Sequence, residues 1–304
     1  MGKLRAKVIV NPAAGAGSTY KKWSLISSLL KSTGLAFDSQ FTEGRGHGIE
    51  LAREAAGAGY KFVVAVGGDG TIHEVANGLM DLPQEQEASL GVVSTGTGSD
   101  LARSIGVNRD FAQACSRLTS PERLQIDVGL VEYSLYNERR RRYFVNSAGM
   151  GFDATVVKAT EQLPKFWGGT LPYLVGLARS FIGYTNKTVT IKVGELVQKA
   201  KVVSVVVANG GYFGGGMHVA PGARLDDSLL NAVIVGDFGK IELLRTFPRV
   251  YKGTHLSHPK ITLQLVKRIS VESTRKMLLH ADGELLGEGP ATFEILPKAL
   301  SLVV

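Results

Sequence analysis

The sequence predicts a parallel α/β domain followed by a mostly β domain, and three observations carry the prediction. Through roughly the first 130 residues, short continuous apolar runs alternate with amphipathic stretches, the pattern of buried parallel strands with helices on both faces. After about residue 126 strand-like segments follow one another. The alternation in Thr188-Val189-Thr190-Ile191-Lys192-Val193 argues antiparallel strands with one solvated face. Glycine, at 37 of 304 residues, is bunched at the carboxyl ends of the first-half strands, where ligands of such sheets bind. At roughly 150 residues per domain the length also suggests two domains, here 1–128 and 129–298.

Strand one is read at 6–11, followed by a helix at 18–31 with Ser18 as its N-cap. A second strand at 37–42 leads to a helix at 48–58. The run 62–66 ends in Gly67-Gly68 ahead of a helix at 71–80. A fourth strand at 90–94 precedes short helices at 99–105 and 111–118. In the second half, strands are expected at 126–131, 143–148, 188–193, 201–208, 230–235, 261–266, 269–271 and 278–280, with helices at 153–162, 171–183 and 240–251. No linker, internal repeat or low-complexity tract separates the halves, so a shared interface and cleft are expected.

Hydrophobic residues make up 44% and charged residues 20%, enough apolar material to exclude disorder. No apolar run reaches the ~18 residues of a membrane span. The opening MGKLRAKVIVNP has no signal-peptide core, so secretion is not expected. One cysteine, Cys115, excludes an intramolecular disulfide and suits a reducing cytosol; its apolar helix face reads as core. The net charge of +8 suits an anionic partner, whether nucleotide phosphate, nucleic acid or acidic membrane, without choosing among them. The basic run 139–142 is read as a solvated hairpin loop, with phosphate or lipid contact as the alternative. His255 and His258 are read as surface residues.

Three glycine-rich loops carry the chemistry. Asn11-Pro12-Ala13-Ala14-Gly15-Ala16-Gly17-Ser18 opens a helix whose N-terminal amides can receive a phosphate, although it matches neither a dinucleotide fingerprint nor a Walker A loop. Val66-Gly67-Gly68-Asp69-Gly70-Thr71 lets backbone amides curl around an anion. Asp69 within it suits a divalent cation between carboxylate and phosphate, or simply caps the next helix. Ser94-Thr95-Gly96-Thr97-Gly98-Ser99-Asp100 repeats the arrangement one strand on. Together the loops point to a nucleoside triphosphate with a metal.

These residues resemble the diacylglycerol kinase catalytic domain superfamily, which includes sphingosine and ceramide kinases and, more distantly, NAD kinases and phosphofructokinases. The resemblance rests on Gly67-Gly68-Asp69-Gly70-Thr71, on Asn11-Pro12 with Gly15, and on Gly96 through Arg103. It continues through Asn146 to Asp153, Ala208-Asn209, the glycines 214–216, Pro221, Asp226-Asp227 and Asp282-Gly283-Glu284. It implies an α/β nucleotide-binding domain, rejoined by a final strand at 299–304, a β-sandwich domain for the lipid, and an active site in the cleft. By motif, ATP contacts fall on Asn11, Pro12, Gly15, Thr42, Gly67, Gly68, Asp69, Gly70, Thr71, His73, Gly96 and Thr97. Asp69, Asp100 and Asp127 resemble the acidic set around the catalytic Mg²⁺. Asp282 and Glu284 match the pair that supplies the general base, with the choice between them open. A structural cation would use Asp227 and the carbonyls of Arg224 and Leu229. The implied partners are nucleotide and a lipid alcohol at the inner membrane face, met by a cytoplasmic, peripherally associating protein; nucleic acid is not expected, and a homodimer is compatible.

The chain departs from the family at Ser99 (usually Asn), Ser228 (usually Gly) and His73 (often Asn), and the second departure weakens the structural cation site. The leading expectation is a kinase phosphorylating diacylglycerol or a related lipid alcohol. An NAD kinase-like enzyme would carry Asn-Glu in the following helical region; this chain has Arg-Asp at 109–110 and Asn-Glu only at 137–138. A non-catalytic sensor would have lost a carboxylate, and all five are present. Asp282-Gly283 alone reads as a β-turn. Residues 164–169 and the helix after them are candidates for membrane contact or plain core, and 212–216 for a pocket entrance or a turn.

Overall fold

The computed structural model describes residues 5–82, 88–96, 98–106, 110–136, 138–163 and 171–304. The chain divides into two compact units, 1–126 with 298–304, and 127–297.

In the first unit β1 (Arg5–Val10), β2 (Ala36–Phe41), β3 (Phe62–Gly67) and β4 (Ser89–Ser94) are parallel, in the order β2-β1-β3-β4. The end of the last strand, β16 (Ala291–Val303), lies parallel to β4 with Leu302 opposite Leu90. Among the described residues they are connected by α1 (Ser18–Ser32), α2 (His47–Gly57), α3 (Asp69–Met80), α4 (Asp100–Ser104) and α5 (Phe111–Arg117). β3 is buried along its whole length, which is why its sequence is a continuous apolar run rather than an alternating one. The strand order reverses between β1 and β3, so the loops after them stand at the switch point where ligands of such sheets bind. Gly17, in the left-handed region at φ 82°, occupies the N-cap of α1, and Ser18 is the first helical residue; a left-handed entry suits glycine better than serine.

Cys115 is fully buried against Ile26 and Leu30 of α1, and burial pushes its thiol up to about 11. A thiol whose folded value lies above its unfolded one favours the fold below about pH 9, and that contribution is lost as pH rises towards 11. The native protein is therefore expected to resist thiol alkylation at pH 8, with labelling appearing only on denaturation; rapid native labelling would contradict the burial.

The second unit contains two antiparallel sheets. One has the order β12-β11-β10-β7-β14-β15, built from β7 (Ser147–Gly151), β10 (Ser204–Ala208), β11 (Leu230–Val235), β12 (Ile261–Val266), β14 (Leu278–Ala281) and β15 (Glu284–Glu288). The other joins β8 (Lys187–Val193), β9 (Leu196–Val202), β13 (Arg268–Ser273) and the first half of β16, and β5 (Arg123–Leu135) pairs with β6 (Glu138–Phe144). Val205 and Val207 of β10 join Val189, Ile191, Ile269 and Phe293 in one core, so the two sheets pack face to face. Val206 and Ala208, on the opposite face of β10, join a second core with Phe152 and Phe213; Leu243 and Phe247 pack against it. Successive side chains of a strand point to opposite faces, and here both faces are buried. That core lies beneath α6 (Phe152–Glu161), α7 (Leu171–Gly183) and α8 (Lys240–Tyr251).

Further expectations change in this unit. The predicted strands 143–148 and 201–208 each prove to cover two strands, β6 with β7 and β9 with β10, and each pair splits between the two sheets. Apolar residues on both sides of the crossing hide it from any periodicity. The basic run 139–142 lies in β6, opposite residues 131–134 of β5, rather than in a loop; the turn begins at Tyr136, φ 52°. His255 is buried, with Nε2 3.0 Å from the Val219 carbonyl oxygen, and is not a surface residue. His258 is also partly covered, its ring 4.6 Å from that of Phe238.

Candidate functional site

The three glycine loops follow β1, β3 and β4 and are tied together by backbone. Asn11 donates its N–H to Val66 O at 2.9 Å, and Thr95 donates to Gly67 O at 2.8 Å. The Asn11 side chain donates to Thr71 Oγ1 at 3.0 Å while its carbonyl accepts from Ala13 N–H at 3.1 Å. Glycine is required where the loops meet: a Cβ on Gly96 would stand 2.7 Å from Gly68 Cα, and one on Gly67 would stand 2.2 Å from Thr71 Oγ1. Gly15 has φ 60° and equally little room, since a Cβ there would stand 2.4 Å from Ser18 Oγ. Thr42 closes the end of β2, donating its N–H to Val10 O at 2.8 Å. Pro12 and Gly70 lie in the first and second loops, and Thr97 falls outside the described residues.

Asp69 does more than begin α3. Its Oδ1 accepts the N–H groups of Asp100 at 2.7 Å and Leu101 at 3.4 Å, so the carboxylate of the second loop caps the helix that opens from the third. Ser99 precedes that helix in the left-handed conformation at φ 54°, where its hydroxyl lies 2.8 Å from Ser94 Oγ and donates to Gly96 O at 3.1 Å. His73 is buried beside Asn77 rather than presented to solvent. Asp69 and Asp100 offer hard oxygen donors, which suits Mg²⁺, an ion usually bound through one or two carboxylates plus phosphate oxygens. Among the described residues no group of three or more His, Cys, Asp and Glu side chains could hold a metal.

In the second unit Asp127 is fully buried; its Oδ2 accepts Ser228 N–H at 2.6 Å and its own N–H donates to Leu225 O at 2.6 Å. It thus braces the loop 224–229 expected to hold the structural cation. There Asp227 Oδ1 accepts Leu229 N–H at 3.0 Å, Arg224 pairs with Asp226 at 3.0 Å, and Ser228 takes φ 62° where glycine would be unstrained.

Asp282 and Gly283, at φ 45° and 83°, form the two-residue turn between β14 and β15, with Ala281 opposite Glu284. The two acids of this turn differ sharply. Asp282 accepts three backbone N–H bonds, from Val145 at 2.8 Å and from Asn146 and Ser147 at 2.9 Å, and its own N–H donates to Ser147 O at 2.7 Å. Glu284 remains partly exposed and pairs with Arg142 at 3.0 Å. Arg142 comes from the run read as a solvated hairpin loop or a phosphate or lipid contact; its pairing depends on β6 and β15, which no local pattern links.

Comparison with known proteins decides the family. Residues 5–131 match the diacylglycerol kinase catalytic domain, and residues 146–304 match the YegS C-terminal NAD kinase beta sandwich-like domain. The chain belongs to the diacylglycerol kinase-like lipid kinase family. A protein named diacylglycerol kinase from Staphylococcus carnosus (strain TM300) is 26% identical, over 96% of this chain and 92% of the relative. One of the same name from Bacillus subtilis (strain 168) is 27% identical, over 99% and 96%. A crystal structure of a diacylglycerol kinase from Bacillus anthracis str. Sterne shares the fold, with a TM-score of 0.73 at 21% identity, over 100% of this chain and 97% of that one.

This member of the lipid kinase family carries two further features in its second unit that motif reading did not supply. His280 is fully buried, its Nε2 3.0 Å from Asp153 Oδ2, its ring stacked 4.7 Å from Phe213, and its Nδ1 3.4 Å from the donating Gly283 N–H of the acidic turn. Asp153 also accepts from Ser204 Oγ at 2.9 Å. Gly149 makes room for the pair, because a Cβ there would stand 2.0 Å from Asp153 Oδ2. Gly149→Ala is therefore expected to destabilise the protein by about 2–3 kcal/mol, read as a lower midpoint of chemical denaturation. An unchanged midpoint would mean that the pair is dispensable.

Beside Asp153 lies an apolar cavity of about 110 Å³, lined by Phe152, Val206, Phe213, Met217, Phe247 and Val250 among others. His255 borders it; burial pulls this imidazole below its ordinary value, and its Nδ1 has no hydrogen-bond partner among the described residues. Phe213, from the segment with two readings, lines this cavity, while Tyr212 stacks on His218 at 4.5 Å. Residues 164–169 lie outside the described residues.

Proposed function

We propose that this protein transfers the γ-phosphoryl group of ATP to the hydroxyl of diacylglycerol or a related lipid alcohol at the inner face of the membrane. Family membership supports phosphoryl transfer to a lipid. The observation that carries the mechanism is the contrast within the acidic turn: three backbone donors occupy Asp282, whereas Glu284 is partly exposed beside Arg142. Glu284 then accepts the proton of the lipid hydroxyl as the new P–O bond forms and the bond to ADP breaks; Asp282 holds the turn.

In this reading the amides and hydroxyls around Asn11, Pro12, Gly15, Thr42, Gly67, Gly68, Gly70, Thr71, Gly96 and Thr97 bind the nucleotide. Asp69 and Asp100 would hold Mg²⁺, which would supply neutralisation of phosphate charge, and Asp127 is carried over from the motif as the third carboxylate of the acidic set. Arg224, Asp227 and Leu229 are the weaker proposal for a second cation. The apolar lining of the cavity beside Phe152 suits the end of an apolar lipid substituent; at about 110 Å³ it is smaller than the roughly 300–1,000 Å³ of a whole-ligand pocket.

ADP release with ATP and Mg²⁺ across micellar lipid alcohols and soluble NAD tests the assignment. Turnover on a lipid alcohol, abolished in Asp69→Ala, is the expected result. Turnover on NAD alone would replace the lipid by a nucleotide acceptor, and ATP binding without turnover on any acceptor would favour a sensor.

A further inference from the structure

The kinase reading leaves the outward face of α8 without a role. The inward side chains Leu243, Phe247 and Val250 line the apolar cavity. Ile241, opposite them on the helix, and Leu244 and Tyr251, on one flank about a quarter-turn from them, remain exposed by 69%, 61% and 45%, beside the cations of the polar face. Their spacing of three and seven residues places them along one stripe. Ile182, at the end of α7 and 76% exposed, extends the stripe, because Lys240 Nζ donates to its carbonyl.

Charge accompanies this apolar stripe. Residues 240–252 carry Lys240, Arg245, Arg249 and Lys252 against a single carboxylate, Glu242. That carboxylate is already engaged by Lys260 at 2.6 Å. An open groove of about 710 Å³ runs along the same helix, lined by Lys240, Ile241, Glu242, Arg245, Arg249 and His258 among others. Apolar side chains flanked by cations, beside a groove with room for phosphate groups, match the interface of an anionic bilayer.

We propose that the outward face of α8, with Ile182, docks this protein on an anionic phospholipid bilayer. Ile241 and Leu244 enter the boundary between headgroups and acyl chains, and Arg245 and Lys252 meet lipid phosphates. The inference rests on the lipid-kinase reading for its reason to meet a bilayer, not for the surface itself. One consequence is that the helix lying on the membrane also walls the apolar cavity, so docking and lipid entry share an element.

The test is co-sedimentation of the full chain with phosphatidylcholine vesicles, with and without phosphatidylglycerol, at about 0.1 M salt. Binding is expected only with the anionic lipid. Ile241→Asp with Leu244→Asp should weaken it at least ~10-fold, as should Arg245→Glu with Lys252→Glu, given ~1 kcal/mol per cation near such a surface. Leu196→Asp with Val197→Asp, at the exposed turn between β8 and β9, should leave it unchanged. Circular dichroism and melting of each variant would confirm folding. Full binding by both α8 variants, an equal loss in the β8–β9 variant, or no binding by the parent would each overturn the proposal. Turnover in detergent mixed micelles separates the two readings: micellar activity with α8-independent vesicle binding removes the docking surface alone, whereas α8-dependent binding without turnover on any lipid alcohol removes the kinase assignment alone.

Discussion

Glu284→Gln is expected to lower turnover on a lipid alcohol by about 10²- to 10⁴-fold, the range a positioned general base supplies. Gln keeps the length and the hydrogen-bonding oxygen but cannot take a proton from the acceptor hydroxyl. The side chain is 22% exposed and contacts Arg142 at 3.0 Å; Gln keeps that hydrogen bond and loses only its charge, at a cost on the order of 1–2 kcal/mol. The melting temperature should therefore fall by only a few degrees. Single-turnover assays with saturating ATP give the rate, and calorimetry gives the stability. Retained turnover in Glu284→Gln would remove Glu284 from the chemistry.

Asp282→Ala produces the complementary result, a loss of stability. The carboxylate ties the turn between β14 and β15 to three consecutive N–H groups at residues 145–147, which lead into β7. Its removal leaves those donors buried without acceptors, at about 1–3 kcal/mol each before relaxation or water entry. Allowing for relaxation, a total of about 3–5 kcal/mol is expected, or a fall in melting temperature on the order of 10 °C. Alanine is also a poorer occupant than aspartate of φ 45°. Asp282→Asn retains one acceptor oxygen and should fall between the parent and Asp282→Ala. An unchanged melt combined with abolished turnover would make Asp282 the base.

Much of this protein could be read from local pattern. The burial of β3 on both faces shows directly as an unbroken apolar run, and the alternation in 188–193 shows as Val189 and Ile191 directed into the core. Each glycine loop was visible because a strand-to-helix turn that presents its backbone excludes side chains, a constraint recorded at Gly67 and Gly96 by the absence of a Cβ. The Asp-Gly turn between β14 and β15 was legible for a related reason: two successive positive φ values restrict which residues can stand there.

What the sequence did not disclose depends on partners distant along the chain. A continuous valine-rich stretch looks the same whether it remains in one sheet or crosses to another, so β9 and β10 read as one strand. His255 lies in a polar-looking segment, yet folding places it against Val219, 36 residues earlier. Two carboxylates separated by one glycine carry the same local signal, but Asp282 meets backbone donors more than 130 positions away, while Glu284 meets Arg142 across strand pairs. Sequence alone determined the fold class, the glycine loops and the inventory of carboxylates, because backbone sterics and side-chain periodicity are local. The tertiary structure alone decided which carboxylate is saturated and which is accessible, because hydrogen-bond partners and burial are set by residues that only folding brings together.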